Sequence, residues 1–537
     1  MLNQQKKMRI GFTTIYSWRP HVEHLFYLSE LLREAGHETL FLTCEADLPT
    51  CYTHEMRDIR PSWQECLMCR AGNIRSYTKY NVSSIKDYTS LKHKLPKDSH
   101  EWVYSSASTL GRFESDEDYE GLEFDHLTKK LHPILEITYS SAKNWILNNN
   151  LDAICVFNGR IDATRAIFEA AHSVGIRVLS IERTWFGNGL QIYPDENCLG
   201  LSSVNKLMVE WKDKPLSQHQ AAKAASYIAS RFLKKNTTEW RMYNAQSEFV
   251  PWPIENSDYK ILLIPNSRNE VWGHPDWSSG WKNQLEAYDA IINHLKLQSE
   301  DMILRCHPNW GEKIGKRDGQ HIEKYYSDWA KERNILTISS NDKTSTLGLI
   351  QQSDAIVIAS GSSALEAGAL GKQIIATAGS IYQKSGMRTD VCNPEQLNNL
   401  YLYKDQPETE QDVQKKAIIR QTLRFCYTMT HRIPQFVDYV NIRTPTKFIY
   451  KKGADCNRLI KLLRTGELKA DDTKYSANNN AETEFIELIQ RNKWLDIYHR
   501  SQAMKGTKDT EEYLAIRRRS FYALIDVIRH RIKRGDL

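Results

Sequence analysis

Residues 353–375, SDAIVIASGSSALEAGALGKQII, leave the chain few folds to choose from. An apolar, partly β-branched run (Ala355–Ala359) gives way to a turn of small residues (Ser360–Ser363). A short helical stretch follows, then a Gly-Lys turn and a second apolar run. Strand, helix and strand in so short a span make a βαβ unit, and such units build parallel sheets covered by helices. Small residues between strand and helix also let backbone N–H groups and hydroxyls converge on a phosphate, which a bulkier turn would exclude. An ordinary crossover with a serine N-cap reads the same way, so the neighbouring segments must decide.

Upstream, Met302–Arg305 is an apolar run ending in Cys306-His307-Pro308, where proline halts pairing and leaves the imidazole at the strand's carboxyl end. Ligands of open α/β sheets collect at that end. Lys260–Pro265 is another strand, followed by Asn266, Ser267 and Arg268, and Glu366 lies one helical turn past the serines, where it can accept hydrogen bonds from a ribose. The first half repeats the pattern with strands at Met8–Thr14, Thr39–Thr43, Leu151–Phe157 and Arg177–Ile181. If these strands are parallel, their tips share one cleft. Glu182 and Asp162 are then candidate bases for an acceptor hydroxyl, and His21 is a third from the loop after the first strand. His24, Asn158, Arg160 and Arg183 are candidate acceptor contacts, the arginines suiting an anionic acceptor. The plainer alternatives are a surface Glu-Arg pair and simple helix-start polarity.

His307-Pro308 and Ser360-Gly361-Ser362-Ser363-Ala364-Leu365-Glu366, with Gly371-Lys372 after them, resemble the donor half of GT-B glycosyltransferases. The chain is most similar to bacterial capsule-polysaccharide biosynthesis enzymes and, more loosely, to transferases that use CMP-sugars, the sialyl and 3-deoxy-octulosonate (Kdo) transferases. Phe157-Asn158-Gly159-Arg160, Glu182-Arg183, the Asn266–Glu270 segment and Thr346–Ile350 fit that layout over roughly residues 8–395. The resemblance implies two Rossmann-like domains facing a cleft, and a sugar moved from a nucleotide donor to a growing surface polysaccharide, lipopolysaccharide or lipid-linked glycan. It implies donor contacts from Asn266, Ser267, Arg268, His307, Pro308, Ser360, Gly361, Ser362, Ser363 and Glu366, with His307 also stabilising the departing phosphate and no catalytic metal. The acidic pair before glycine that completes the CMP-sugar pattern is absent near Glu182. Teichoic-acid polyol-phosphate transferases, which use CDP donors, share the His-Pro and Ser-Ser elements and are the alternative enzyme. A non-catalytic scaffold of a capsule-assembly complex is the alternative outside catalysis.

A chain of 537 residues exceeds one ordinary core. The expected division is an acceptor-side domain (1–240) with a cysteine-rich insertion (44–75), a linker (241–258) that includes Trp252, a nucleotide-sugar domain (259–453) and a basic helical extension (454–537). Cys44, Cys51, Cys66 and Cys69 suit a structural tetrathiolate zinc site, or an iron–sulfur cluster, in a reducing compartment. The alternative is one close pair, Cys66 and Cys69, among scattered small hydrophobes. A net charge of +6 is too small for this length to call for nucleic acid. No signal peptide or membrane span is legible, so the protein is expected in the cytoplasm. Residues 511–534 read as an amphipathic basic helix that either meets the inner membrane face, where a lipid-linked acceptor would be, or packs on the body or on a second subunit of an oligomer.

Overall fold

The structure, a computed structural model, describes residues 6–57, 60–236, 245–313, 317–444, 447–503 and 512–525. Two six-stranded sheets carry the chain. The first holds β1 (Arg9–Thr14), β2 (Glu38–Thr43), β3 (Val82–Ser84), β4 (Ala153–Phe157), β5 (Arg177–Arg183) and β6 (Leu190–Pro194). The second holds β7 (Ile261–Ile264), β8 (Met302–Arg305), β9 (Leu336–Ile338), β10 (Ala355–Ile358), β11 (Gln373–Ala376) and β12 (Thr389–Asp390). Central strands such as Ala153–Phe157 and Ala355–Ile358 are buried at every position, as strands covered on both faces must be.

The strand orders are β3-β2-β1-β4-β5-β6 and β12-β11-β10-β7-β8-β9. Counted from the first strand of its own sheet, each is the doubly wound Rossmann order, which reverses beside that first strand. All pairings are parallel except β5 with β6. The reversal opens a crevice at the carboxyl ends of β1 and β4 in one sheet and of β7 and β10 in the other. These two crevices receive the loops that carry the candidate residues.

Helix Glu408–Tyr427 leaves the second sheet and packs on helix Gln218–Phe232 of the first half. Past it, β13 (Val440–Thr444) and β14 (Lys447–Lys451) form a hairpin, and β15 (Tyr513–Leu514) adds a third strand. The hairpin lies on the first domain: the Tyr27 hydroxyl donates to the Lys451 carbonyl at 2.5 Å and the Ile442 N–H to Asn188 Oδ1 at 2.7 Å. The expected boundary at 453 therefore moves, because this hairpin covers apolar and aromatic side chains of helix His21–Glu34 that would otherwise meet water. One buried cluster joins Phe12 and Ile154 of the first sheet, Ile264 and Ile356 of the second, and Tyr450 and Phe485 of the returning chain.

Two further expectations change. Residues 512–519 do not continue an amphipathic helix: Tyr513 and Leu514 pair with β14, and Arg518 is buried with its Nε donating to the Tyr77 hydroxyl at 3.3 Å. A helical turn begins only at Ser520, and positions 526–534 lie outside the described residues. The insertion at 44–75 is two short helices, Tyr52–Arg57 and Ser62–Gly72, and 237–244 of the domain-junction segment lie outside the described residues. Among the described residues no helix is long and apolar enough to cross a membrane.

Candidate functional site

At the reversal point of the second sheet, Asn266 lies in the loop after β7 and its Oδ1 accepts the Ser360 N–H from the loop after β10 at 3.0 Å. Gln284 brackets Asn266, accepting its N–H at 3.0 Å and donating to its carbonyl at 2.7 Å. A Cβ on Gly361 would come within 2.6 Å of the Asn266 amide, so only glycine lets the two loops approach. Asn266, Ser360 and Gly361 thus build the turn, and Ser362 and Ser363 present its hydroxyls. The expected serine cap is not made: Ser362 has helical backbone angles and makes no side-chain capping bond ahead of helix Ser363–Ala369. Among the described residues neither Ser362 nor Ser363 spends its hydroxyl on a protein partner.

These two serines line a cavity of about 280 Å³ with His307, Pro308 and Glu366. His307 Nδ1 accepts the Asn309 N–H at 3.2 Å, which leaves the proton of the neutral ring on Nε2 as a donor. Arg305, the last residue of β8, turns its guanidinium onto the Ser339, Asp342 and Thr344 carbonyls and folds residues 340–346 into the cavity's far wall. From the first half, Arg231 Nε donates to Glu366 Oε1 at 2.7 Å, while Glu366 Oε2 is buried with no partner among the described residues. Arg231 and Arg305 were not among the candidates. An arginine closing an apolar strand just before His-Pro was a usable signal for Arg305. Arg231 gave none, for Glu366 lies 135 positions away.

Two donor-side candidates serve elsewhere. Arg268 donates to Asp116 Oδ1 at 2.9 Å and to the Glu114 carbonyl at 3.3 Å, and its own N–H goes to Glu114 Oε2 at 2.7 Å. Ser267 Oγ accepts the Trp310 indole N–H at 2.9 Å. With Asp116 satisfying its charge, Arg268 is a strut between the two halves, and Ser267 belongs to the packing beneath it. Glu114 accepts the Tyr326 hydroxyl at 2.7 Å, and burial pushes its carboxyl up to about 8.

Across the cleft, Glu182 ends β5. Its Oε2 accepts the Asn158 amide at 3.1 Å and its Oε1 accepts the Arg183 N–H at 2.9 Å. His21 Nδ1 stands 3.9 Å from Glu182 Oε1 and its ring lies 4.0 Å from that of Phe157. Burial lowers the His21 pKa against the pull of Glu182, which favours the neutral imidazole. Burial also lowers the Arg183 pKa, and its guanidinium sits 5.8 Å over the Phe448 ring. Arg160 donates to the Ser105 hydroxyl, and its N–H goes to Asn158 Oδ1 at 3.0 Å. The two sets of tips are coupled: the Cys198 N–H donates to the Asn158 carbonyl at 2.9 Å, and the Leu201 N–H donates to Asp276 of the second domain at 2.8 Å.

Asp162 and His24 leave the candidate set. Asp162 is fully buried, with Oδ1 accepting the Tyr16 hydroxyl and Oδ2 the Tyr52 N–H at 2.8 Å, so it anchors two loops and meets no acceptor. His24 is fully buried beneath the C-terminal hairpin, 2.9 Å from the Tyr450 hydroxyl, and burial drives its pKa well down. Cys44, Cys51, Cys66 and Cys69 all line one small cavity beside Tyr16. Among the described residues no group of three or more His, Cys, Asp or Glu side chains is placed so that it could hold a metal ion.

No protein-family model and no curated protein matches the chain. Solved structures similar to it include two Kdo transferases of Thermosulfurimonas dismutans KpsC. The β-Kdo 2,4 transferase is 13% identical, with 63% of this chain and 87% of that one covered and a TM-score of 0.33. The β-Kdo 2,7 transferase is 12% identical over 66% and 89%, with a TM-score of 0.32. A UDP-GlcNAc 2-epimerase from Neisseria meningitidis bound to UDP-GlcNAc is 14% identical over 86% and 100%, with a TM-score of 0.29. At these identities and scores the likeness carries no activity over to this chain, whose chemistry has to be read from its own residues.

Proposed function

We propose that the chain is a glycosyltransferase whose nucleotide-sugar donor occupies the cavity at the reversal point of the second sheet. The supporting observation is the set of groups that line it: the Ser362 and Ser363 hydroxyls and a buried Glu366 oxygen, which have no protein partner among the described residues, and the His307 imidazole, around about 280 Å³. Hydroxyls and an imidazole N–H suit phosphate oxygens, and a carboxylate suits ribose hydroxyls. As the glycosidic bond to the donor breaks, negative charge grows on the leaving phosphate. His307 Nε2–H and the Ser362 and Ser363 hydroxyls stabilise it without rearranging. Glu182, held by Asn158 and the Arg183 N–H, takes the proton of the acceptor hydroxyl. His21 stands beside it as a neutral neighbour, and Arg160 and Arg183 favour an anionic acceptor. The His-Pro and Ser-Ser pair resembles the CMP-sugar pattern, so the donor in this reading is a CMP-sugar, and the acceptor is a surface glycan.

The test is a calorimetric titration of the full chain with CMP, CDP, UDP and GDP, repeated with His307→Ala. One nucleotide is expected to bind, and the variant to lose about tenfold or more in affinity, the weight of one hydrogen bond to a charged group. If none of the four binds the parent chain, the reading fails.

A further inference from the structure

The sequence spreads Cys44, Cys51, Cys66 and Cys69 over three segments, and the fold brings them to one place. Cys44 follows β2 at the carboxyl end of the first sheet, Cys51 precedes helix Tyr52–Arg57, and Cys66 and Cys69 lie one turn apart on one face of helix Ser62–Gly72. All four line a cavity of about 20 Å³, and so does His54, whose Nε2 is 3.0 Å from the Cys66 sulfur. Cys69 sits near enough to the other three for a charge on it to act on each. Scattered small hydrophobes would not converge in this way. The other six cysteines do not line this cavity.

We propose that this cavity is a structural site for a single thiophilic divalent ion of the zinc class, held by Cys44, Cys51, Cys66 and Cys69 with His54 beside them. The volume chooses between the two four-thiolate chemistries. It has room for about one water-sized body, enough for one ion and too little for the irons and bridging sulfides of a cluster. As placed the sulfurs form no metal-holding group, so the four side chains would have to rotate about Cα–Cβ until each sulfur reached about 2.3 Å from the ion. A thiol binds the ion as its thiolate, so each sulfur that binds gives up its proton to solvent. The ion would fasten the two insertion helices to Ile15 and Tyr16, which form the cavity's other wall and lead into the loop ending at His21.

The experiment measures the metal content of the full chain by mass spectrometry after exhaustive dialysis, together with the absorption of the Co²⁺-exchanged protein. We expect about one zinc per chain and a thiolate-to-cobalt charge-transfer band. Cys66→Ser/Cys69→Ser should lose both, and Cys392→Ser/Cys456→Ser should keep both. Should the first variant fail to fold, the stoichiometry and cobalt spectrum of the parent chain still decide. Less than about a tenth of an ion per chain, a cobalt spectrum without thiolate bands, or iron accompanied by acid-labile sulfide overturns the proposal.

Discussion

Glu366 concentrates the residue-scale consequences, because one of its oxygens is held by Arg231 and the other has no partner among the described residues. Glu366→Gln keeps the shape and an acceptor for Arg231, and should cut the preference for a ribonucleotide over its 2′,3′-dideoxy analogue by roughly tenfold, about 1.4 kcal/mol. Calorimetry with both ligands reads this directly, and an unchanged preference would remove Glu366 from the ribose. Glu182→Gln should lower the turnover of sugar transfer by roughly 100-fold or more while nucleotide affinity stays put. A parallel loss of affinity would mean that Glu182 shapes the donor site instead. The placing of His307, Ser362, Ser363 and Glu366 along one cavity was legible because they sit on strand ends and turns whose geometry is local. Asp162 and His24 were misread because the groups that enclose them, Tyr16 and Tyr52 for one and Tyr450 for the other, come from distant segments.

Among the elements, the segment 104–118 matters most, and the sequence hid it. Its sequence is polar with little periodicity, yet it forms helix Tyr104–Gly111 and reaches the Glu114 and Asp116 contacts with Arg268. No pattern in a single segment announces such a strut, because its partners lie in the other half of the chain. Burial of Glu114 makes the strut sensitive to pH. Its folded pKa of about 8 exceeds the ordinary glutamate value of 4.5, so the fold keeps a proton that the unfolded chain gives up. The stabilisation is complete below about pH 4.5 and is lost as pH rises toward 8. Glu114→Gln should flatten this fall, with near-equal stability at pH 4.5 and an advantage on the order of a few kcal/mol above pH 8. Urea unfolding at the two pH values checks it, and equal slopes for variant and parent would refute it.

The whole molecule is held by chain that returns from the second sheet to the first. Glu482 is fully buried, receiving Arg424 at 2.8 and 2.9 Å and the Leu216 N–H at 2.7 Å. Glu482→Ala leaves a buried arginine unpaired and should cost about 3–5 kcal/mol, seen as a lower urea midpoint with unchanged slope. An effect under about 0.5 kcal/mol would mean that water takes over the charge. The two Rossmann-like units were legible from their strand-helix alternation. The return path was not, since nothing in residues 440–451 names helix His21–Glu34 as its partner. That path also bears on how the protein is made. His24 and Tyr450 are 426 positions apart, and a ribosome adding about 5–20 residues per second needs roughly 20–85 s to deliver the second after the first. Through that interval the nascent first domain keeps an aromatic face uncovered, and the cell's holdase chaperones would find their client there.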